Sequence, residues 1–209
     1  MADYQLYGMG ESGNAYKAAL MLELAACDWQ PVFVDFFNGE TRTERFRREV
    51  NALGEVPVLV HRGAKLAQSG VILHYLAGET GQFGPRDATE GREILSWILF
   101  DNHKFTANYA TLRYLVGLTR TGDPAVIQFL QGRVRAAFGI VEAHLAKQDF
   151  LVARRPTIAD LSLCGYLYYR EDTGIDLALY PNLLAWAARI AALPRWKHPY
   201  ELLPRGLKA

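Results

Sequence analysis

The chain has 209 residues, half of them apolar, with 23 basic and 22 acidic side chains and a formal net charge of +1. That balance supplies no field of one sign for nucleic acid or a charged membrane surface, and the length suffices for one large domain or two small ones with a real core. The cysteines, Cys27 and Cys164, lie far apart in apolar helical contexts. They form neither a disulfide framework nor a metal-binding spacing, so buried, inert thiols and no metal are expected. The first residues lack the basic-then-apolar pattern of a signal peptide, and no apolar run is long enough to span a bilayer. The expectation is a cytoplasmic protein.

Tyr4–Tyr7 is a short apolar run that stops at Gly8-Met9-Gly10. Glu11-Ser12-Gly13-Asn14 then leads into a stretch of strong helix formers, so the start is strand, turn, helix. Ser12 and Asn14 suit a helix start as N-cap residues. The same helix head, with its unpaired amides, also stabilises an anion or thiolate. Both readings stand at this point. Residues 29–37 form a strand, Thr41–Glu49 a polar helix, and Val56–Val60 another strand. The basic cluster Arg42, Arg45, Arg47 and Arg48 is interleaved with Glu40, Glu44 and Glu49, a solvated face. Arg62-Gly63-Ala64 makes a hairpin turn into Lys65–Ala67, and Ser69 opens a helix through Ala77. The order β-α-β-α-β-β-α implies an α/β layer. Pro57 cannot donate to a ladder, so it is either a cis peptide at the strand mouth or a trans edge proline.

Residues 79–88 carry Gly and Pro without periodicity and form the expected linker, dividing the chain into 1–78, 79–88 and 89–209. Everything beyond is helical. A long helix over 90–118 places Ile94, Trp97, Ile98, Asp101, Phe105, Tyr109 and Leu112 near one side. Asp123-Pro124 caps the next helix, to about residue 148. Thr157 and Asp160 sit at capping-box spacing. Pro181 opens a helix to Ala192, and Pro194 a short last one.

Four motifs, in order, are Ser12-Gly13-Asn14 with Lys17, Gly54-Glu55-Val56-Pro57, Gln68-Ser69 with Leu73 and Tyr75-Leu76-Ala77, and Thr157-Ile158-Ala159-Asp160. Together they resemble the cytosolic glutathione transferases, in particular bacterial relatives of the serine-type classes, over nearly the whole chain. The resemblance implies a thioredoxin-like N-terminal domain followed by an all-α domain, glutathione as co-substrate, no metal, and a homodimer. It implies that Ser12 donates to the glutathione sulfur, with Asn14 beside it. Val56, before a cis Pro57, pairs with the cysteinyl backbone. Gln68 and Ser69 hold the γ-glutamyl group, and Arg42 reaches the glycyl carboxylate. Three positions depart from the family pattern: Ala52 follows Asn51 where proline is usual, which loosens the loop; Glu55 is acidic; Gln68 is neutral. Asp101, across the dimer interface, is expected to supply the missing charge. Glu11 is expected to face solvent, since a carboxylate beside the sulfur opposes ionisation. Phe105, Tyr109 and Arg113 line a pocket for a small electrophilic, mostly apolar co-substrate, or the two aromatics are core. The implied activity is glutathione conjugation. The alternatives are a non-catalytic ligand-binding or assembly protein of the same fold, or a glutathione-dependent peroxidase.

Overall fold

The computed structural model describes residues 2–207. Two compact units make up the chain, Met1–Gly84 with Leu193–Ala209, and Pro85–Ala192. In the first, the order is β1 (Tyr4–Gly8), α1 (Gly13–Leu24), β2 (Trp29–Phe33), a 3-10 turn (Glu40–Arg42), α2 (Glu44–Glu49), β3 (Val58–His61), β4 (Ala64–Ala67) and α3 (Ser69–Thr80). The βαβαββα order expected from periodicity is present. The strands form one sheet in the order β2-β1-β3-β4. β1 runs parallel to β2 and antiparallel to β3, and β3 pairs antiparallel with β4. The β3–β4 turn is Arg62-Gly63, both at positive φ, the geometry that matches strand twist in two-residue hairpins.

Several bounds move, each for a local reason. β2 stops at Phe33 rather than 37, because Asp35 begins a tight turn in which Glu40 accepts from its backbone N–H at 2.7 Å. β3 starts at Val58, past the proline, and not at Val56. α3 runs to Thr80, into the expected linker. The last helix is α9 (Pro199–Leu202), five residues later than Pro194. The C-terminal segment also belongs to the first unit, whereas a division at 79–88 assigns it to the second. Its anchors explain this. The Tyr16 hydroxyl donates to the Lys197 carbonyl at 2.9 Å, and Arg195 and Lys197 both reach Glu23 at 3.0 Å. Burial alone would raise the Glu23 carboxyl, but hydrogen bonds from Lys197 and Trp29 and the two cations outweigh it and hold it below the usual range. Cys27, expected to be buried, is only half-buried; burial and the Asp3 charge push its thiol up.

The second unit contains α4 (Ala88–Phe100), α5 (Thr106–Arg113), α6 (Pro124–Leu145), α7 (Ile158–Leu163) and α8 (Pro181–Ala191). α4 and α5 are joined by a π-helical turn, Asp101–Phe105, and a second one, Tyr114–Leu118, ends the run. Asp123 caps α6 by accepting from Ala125 and Val126. Thr157 and Asp160 form the predicted capping box at the head of α7. Asp160 goes further than a cap. Its carboxylate accepts from the Thr157 backbone (2.8 Å) and hydroxyl (3.0 Å), from the Leu151 backbone (2.9 Å) and from the Trp186 indole (2.9 Å). Burial pushes this carboxyl up, against the pull of those donors. Asp160→Ala would strand several buried donors, each worth about 1–3 kcal/mol when unsatisfied. The expected result is a loss of about 3–5 kcal/mol of unfolding free energy in a denaturant titration. A loss within about 0.5 kcal/mol, the range of a neutral surface change, would show the network to be dispensable.

Candidate active site

The turn between β1 and α1 is where the first unit concentrates its unusual features. Ser12 has extended backbone angles (φ −86°, ψ 104°) and its Oγ accepts from the Ala15 N–H at 3.2 Å. Its own N–H donates to the Met9 carbonyl at 3.1 Å. The N-cap reading is therefore correct, and it does not exhaust the residue. A hydroxyl that accepts one bond still has its hydrogen to donate. No acidic side chain occupies the first turn of α1, so the positive end of the helix remains available to an anion.

Glu11 does not face solvent as expected. It is buried, and its carboxylate accepts from the backbone N–H groups of Gly206 (2.9 Å) and Leu207 (3.0 Å). The Arg205 guanidinium lies at 3.8 Å. A buried carboxylate needs such partners, and they come from chain nearly two hundred residues away, which no local pattern reveals.

Asn14 and Ser69 are brought together: the Ser69 hydroxyl donates to Asn14 Oδ1 at 3.4 Å. Ser69 is the first residue of α3 and is buried. Gln68, its N-cap, sits at φ 69°, ψ 117° and offers no side-chain cap. Such strain in a non-glycine residue persists where the surroundings over-determine it, and it clusters at ligand sites. The Gln68 side-chain amide donates to Glu55 Oε2 at 2.8 Å. Glu55 is exposed and places a negative charge against the neutral Gln68.

Val56-Pro57 is a cis peptide, so of the two readings of Pro57 the first holds. The loop before it is braced despite Ala52. Asn51 donates through Nδ2 to the Glu55 carbonyl at 3.0 Å and accepts from the Leu53 N–H at 3.1 Å. Gly54 (φ +68°) lets this loop approach the Glu40–Arg42 turn: a Cβ there would lie 2.9 Å from the Thr41 carbonyl. Arg42 is exposed on that turn, next to the residue that contacts Gly54.

The second-unit candidates are corrected. Asp101 is fully buried. One carboxylate oxygen accepts from the Thr106 hydroxyl and the other from Ser162 Oγ at 2.6 Å. It is engaged within its own unit and has no exposed edge to present across an interface. Phe105 is also fully buried and stacks on Phe138 at 4.7 Å. Tyr109 meets the edge of Phe138 at 5.1 Å, and burial pushes its phenol up. Arg113, 2% exposed, makes a bidentate pair with Glu171 at 3.0 and 2.8 Å and lies over the Tyr169 ring. The helical stripe is the core face at Ile94, Ile98, Asp101, Phe105, Tyr109 and Leu112, whereas Trp97, expected beside them, is only half-buried. The structure places Phe105 and Tyr109 in the core, and Arg113, expected at a pocket wall, is buried in its pair with Glu171.

A sheet of this order, a cis-proline at the mouth of β3 and an all-helical unit after α3 define a thioredoxin-like domain joined to a helical one. The family models for the glutathione S-transferase N-terminal and C-terminal domains match residues 2–78 and 106–194. The chain belongs to the glutathione S-transferase family. Among its relatives, the maleylacetoacetate isomerase of Rhizobium meliloti is 30% identical over 210 residues, covering 95% of this chain and 97% of that protein. Glutathione S-transferase 3 of Zea mays is 28% identical over 217 residues, covering 98% and 96%. The solved glutathione S-transferase of Xanthobacter autotrophicus Py2 superposes with a TM-score of 0.86 at 35% identity, covering 93% of this chain and 95% of that one. Among the described residues, no group of three or more His, Cys, Asp or Glu is placed to hold a metal ion, and no helix is long and apolar enough to cross a membrane.

Gly54→Ala tests the loop geometry. The added methyl meets a backbone carbonyl that cannot swing aside, at a positive φ. The expected cost is about 1–3 kcal/mol, read as a fall in unfolding midpoint. An unchanged midpoint would mean that the loop has slack.

Proposed function

We propose that the protein is a homodimeric, serine-type glutathione transferase, acting in the cytoplasm, that joins the glutathione thiolate to an electrophilic, mostly apolar co-substrate. The observation that carries this reading is the Ser12 hydroxyl. It is held by the Ala15 amide at the uncompensated head of α1, with its hydrogen left to donate.

The rest of the first unit suits a peptide-like ligand with a carboxylate and an ammonium at one end. The γ-glutamyl carboxylate takes the amides at the start of α3 and the Ser69 hydroxyl, with Asn14 steadying that hydroxyl. The γ-glutamyl ammonium faces the Glu55–Gln68 pair, which replaces Asp101 as the source of negative charge. The Val56 backbone pairs with the cysteinyl residue in strand fashion, and Arg42 attracts the glycyl carboxylate. The sulfur then lies at the head of α1. A free thiol has a pKa of about 8.5, so about 3% is ionised at pH 7. Lowering it by about two units requires about 2.7 kcal/mol. A hydrogen bond to a charged group supplies roughly 1.5–3 kcal/mol, and the helix end adds roughly 0.3–1 kcal/mol. With an aryl halide, the sulfur–carbon bond forms, the carbon–halogen bond breaks, halide leaves and the thiol proton goes to solvent.

The test is retention on immobilised glutathione followed by a conjugation assay with a generic aryl halide. Wild type is expected to be retained and to turn over. Ser12→Ala is expected to keep its affinity while turnover at pH 7 falls roughly 10- to 25-fold, as the bound thiol's pKa rises by up to about two units and its ionised fraction drops toward the roughly 3% of a free thiol. Retention without turnover in wild type would instead identify a glutathione-binding protein that is not a transferase.

A further inference from the structure

The C-terminal strand of chain, residues 203–207, lies directly against the Ser12 turn. The Gly10 N–H donates to the Pro204 carbonyl at 2.7 Å. Leu203 is buried. A Cβ at Gly10 would meet the Tyr200 ring at 2.8 Å and the Leu203 carbonyl at 3.0 Å, so only glycine permits this approach. On the other side, a Cβ at Gly206 would meet the Phe37 ring at 3.0 Å. Between these two close approaches sits the Glu11 carboxylate, with both oxygens on the Gly206 and Leu207 amides. Arg205, 3.8 Å from Glu11, is itself held over the Tyr200 ring at 4.3 Å. The other charged side chain of the turn's neighbourhood in sequence is Lys17, buried on α1.

This arrangement is a conflict with a solution. Glu11 is adjacent in sequence to the residue proposed to stabilise a thiolate, and an uncompensated carboxylate there repels that charge. We propose that Glu11 is a positioning residue: it fastens the Ser12 turn to the strap of residues 203–207, and the strap's two amides and Arg205 hold and neutralise its charge, so that this segment sets the ionisation of the bound thiol. This rests on the thiol-activation reading above. Amides that donate to a carboxylate in this way act as its counter-charge, so losing one exposes the sulfur to the anion. The strap thereby links residues 203–207 to chemistry at residue 12.

The experiment is a pH titration of the thiolate absorbance of bound glutathione in full-length variants. Leu207→Pro removes one of the two donors, since proline has no N–H. Arg205→Ala removes the cation and leaves the backbone intact. Each is expected to raise the bound thiol's pKa by about one unit, a tenfold fall in the thiolate-to-thiol ratio. Adding Glu11→Gln to Leu207→Pro is expected to return the curve to wild type, because the charge is gone and the glutamine carbonyl still accepts from Gly206. A strap that merely packs would leave the double variant as shifted as Leu207→Pro alone, and that result overturns the proposal. So does a wild-type curve from both single variants. If wild type itself shows no depression of the thiol pKa, the thiol-activation reading fails, a different outcome from failure of the strap alone.

Discussion

Helix α1 is enclosed on every side: each of its residues except Asn14 is buried. The terminal amides of a helix so placed need partners from the fold or from a ligand. Ser12 satisfies one amide, Asn14 stands exposed enough to reach α3, and Glu11 ties the turn to Gly206 and Leu207. The features proposed for chemistry are the same ones that close this helix head. The cap supplies the hydroxyl, the unfilled first turn supplies the positive end, and the buried carboxylate beside them has to be neutralised for either to serve an anion.

The same logic of internal satisfaction governs the second unit with a different outcome. Asp101, Asp160 and Arg113 are each buried and each fully engaged, with Thr106 and Ser162, with Thr157, Leu151 and Trp186, and with Glu171. These polar groups are held at the centre of an aromatic and aliphatic core that includes Phe105, Phe138 and Trp186. Breaking a buried pair costs far more than the pair itself contributes, so such groups specify one packing of the helices. The π-helical turn at Asp101–Phe105 lies at one of these points. It keeps Asp101 and Phe105 on the buried face while the chain continues into α5.

Much of the fold was legible in local chemistry. Strand and helix periodicity, the Asp123-Pro124 start and the Thr157–Asp160 spacing all report interactions within a few residues, and each stands in the structure. The site was legible where a residue's role is local, as in the Ser12 cap and the proline at the mouth of β3. It was illegible where the partner is remote. Asp101 occupies a helix position that suits either an interface or a core, and only Ser162, far along the chain, decides for the core. Glu11 depends on Gly206 and Leu207, and Glu55 on Gln68, whose positive φ has no sequence signature. The C-terminal segment reads as more helix, yet ion pairs with Glu23 assign it to the first unit.

We propose that the cap hydroxyl at the head of α1 is also the hydrogen-bond donor to a bound thiolate. The direct measurement is the crystal structure of the protein with glutathione. The account predicts the sulfur within hydrogen-bonding distance of Ser12 Oγ, with Ser12 still accepting from the Ala15 amide and the γ-glutamyl carboxylate at the start of α3. A sulfur held by Asn14 or by a backbone amide, with Ser12 Oγ out of reach, would contradict it and leave Ser12 as a helix cap alone.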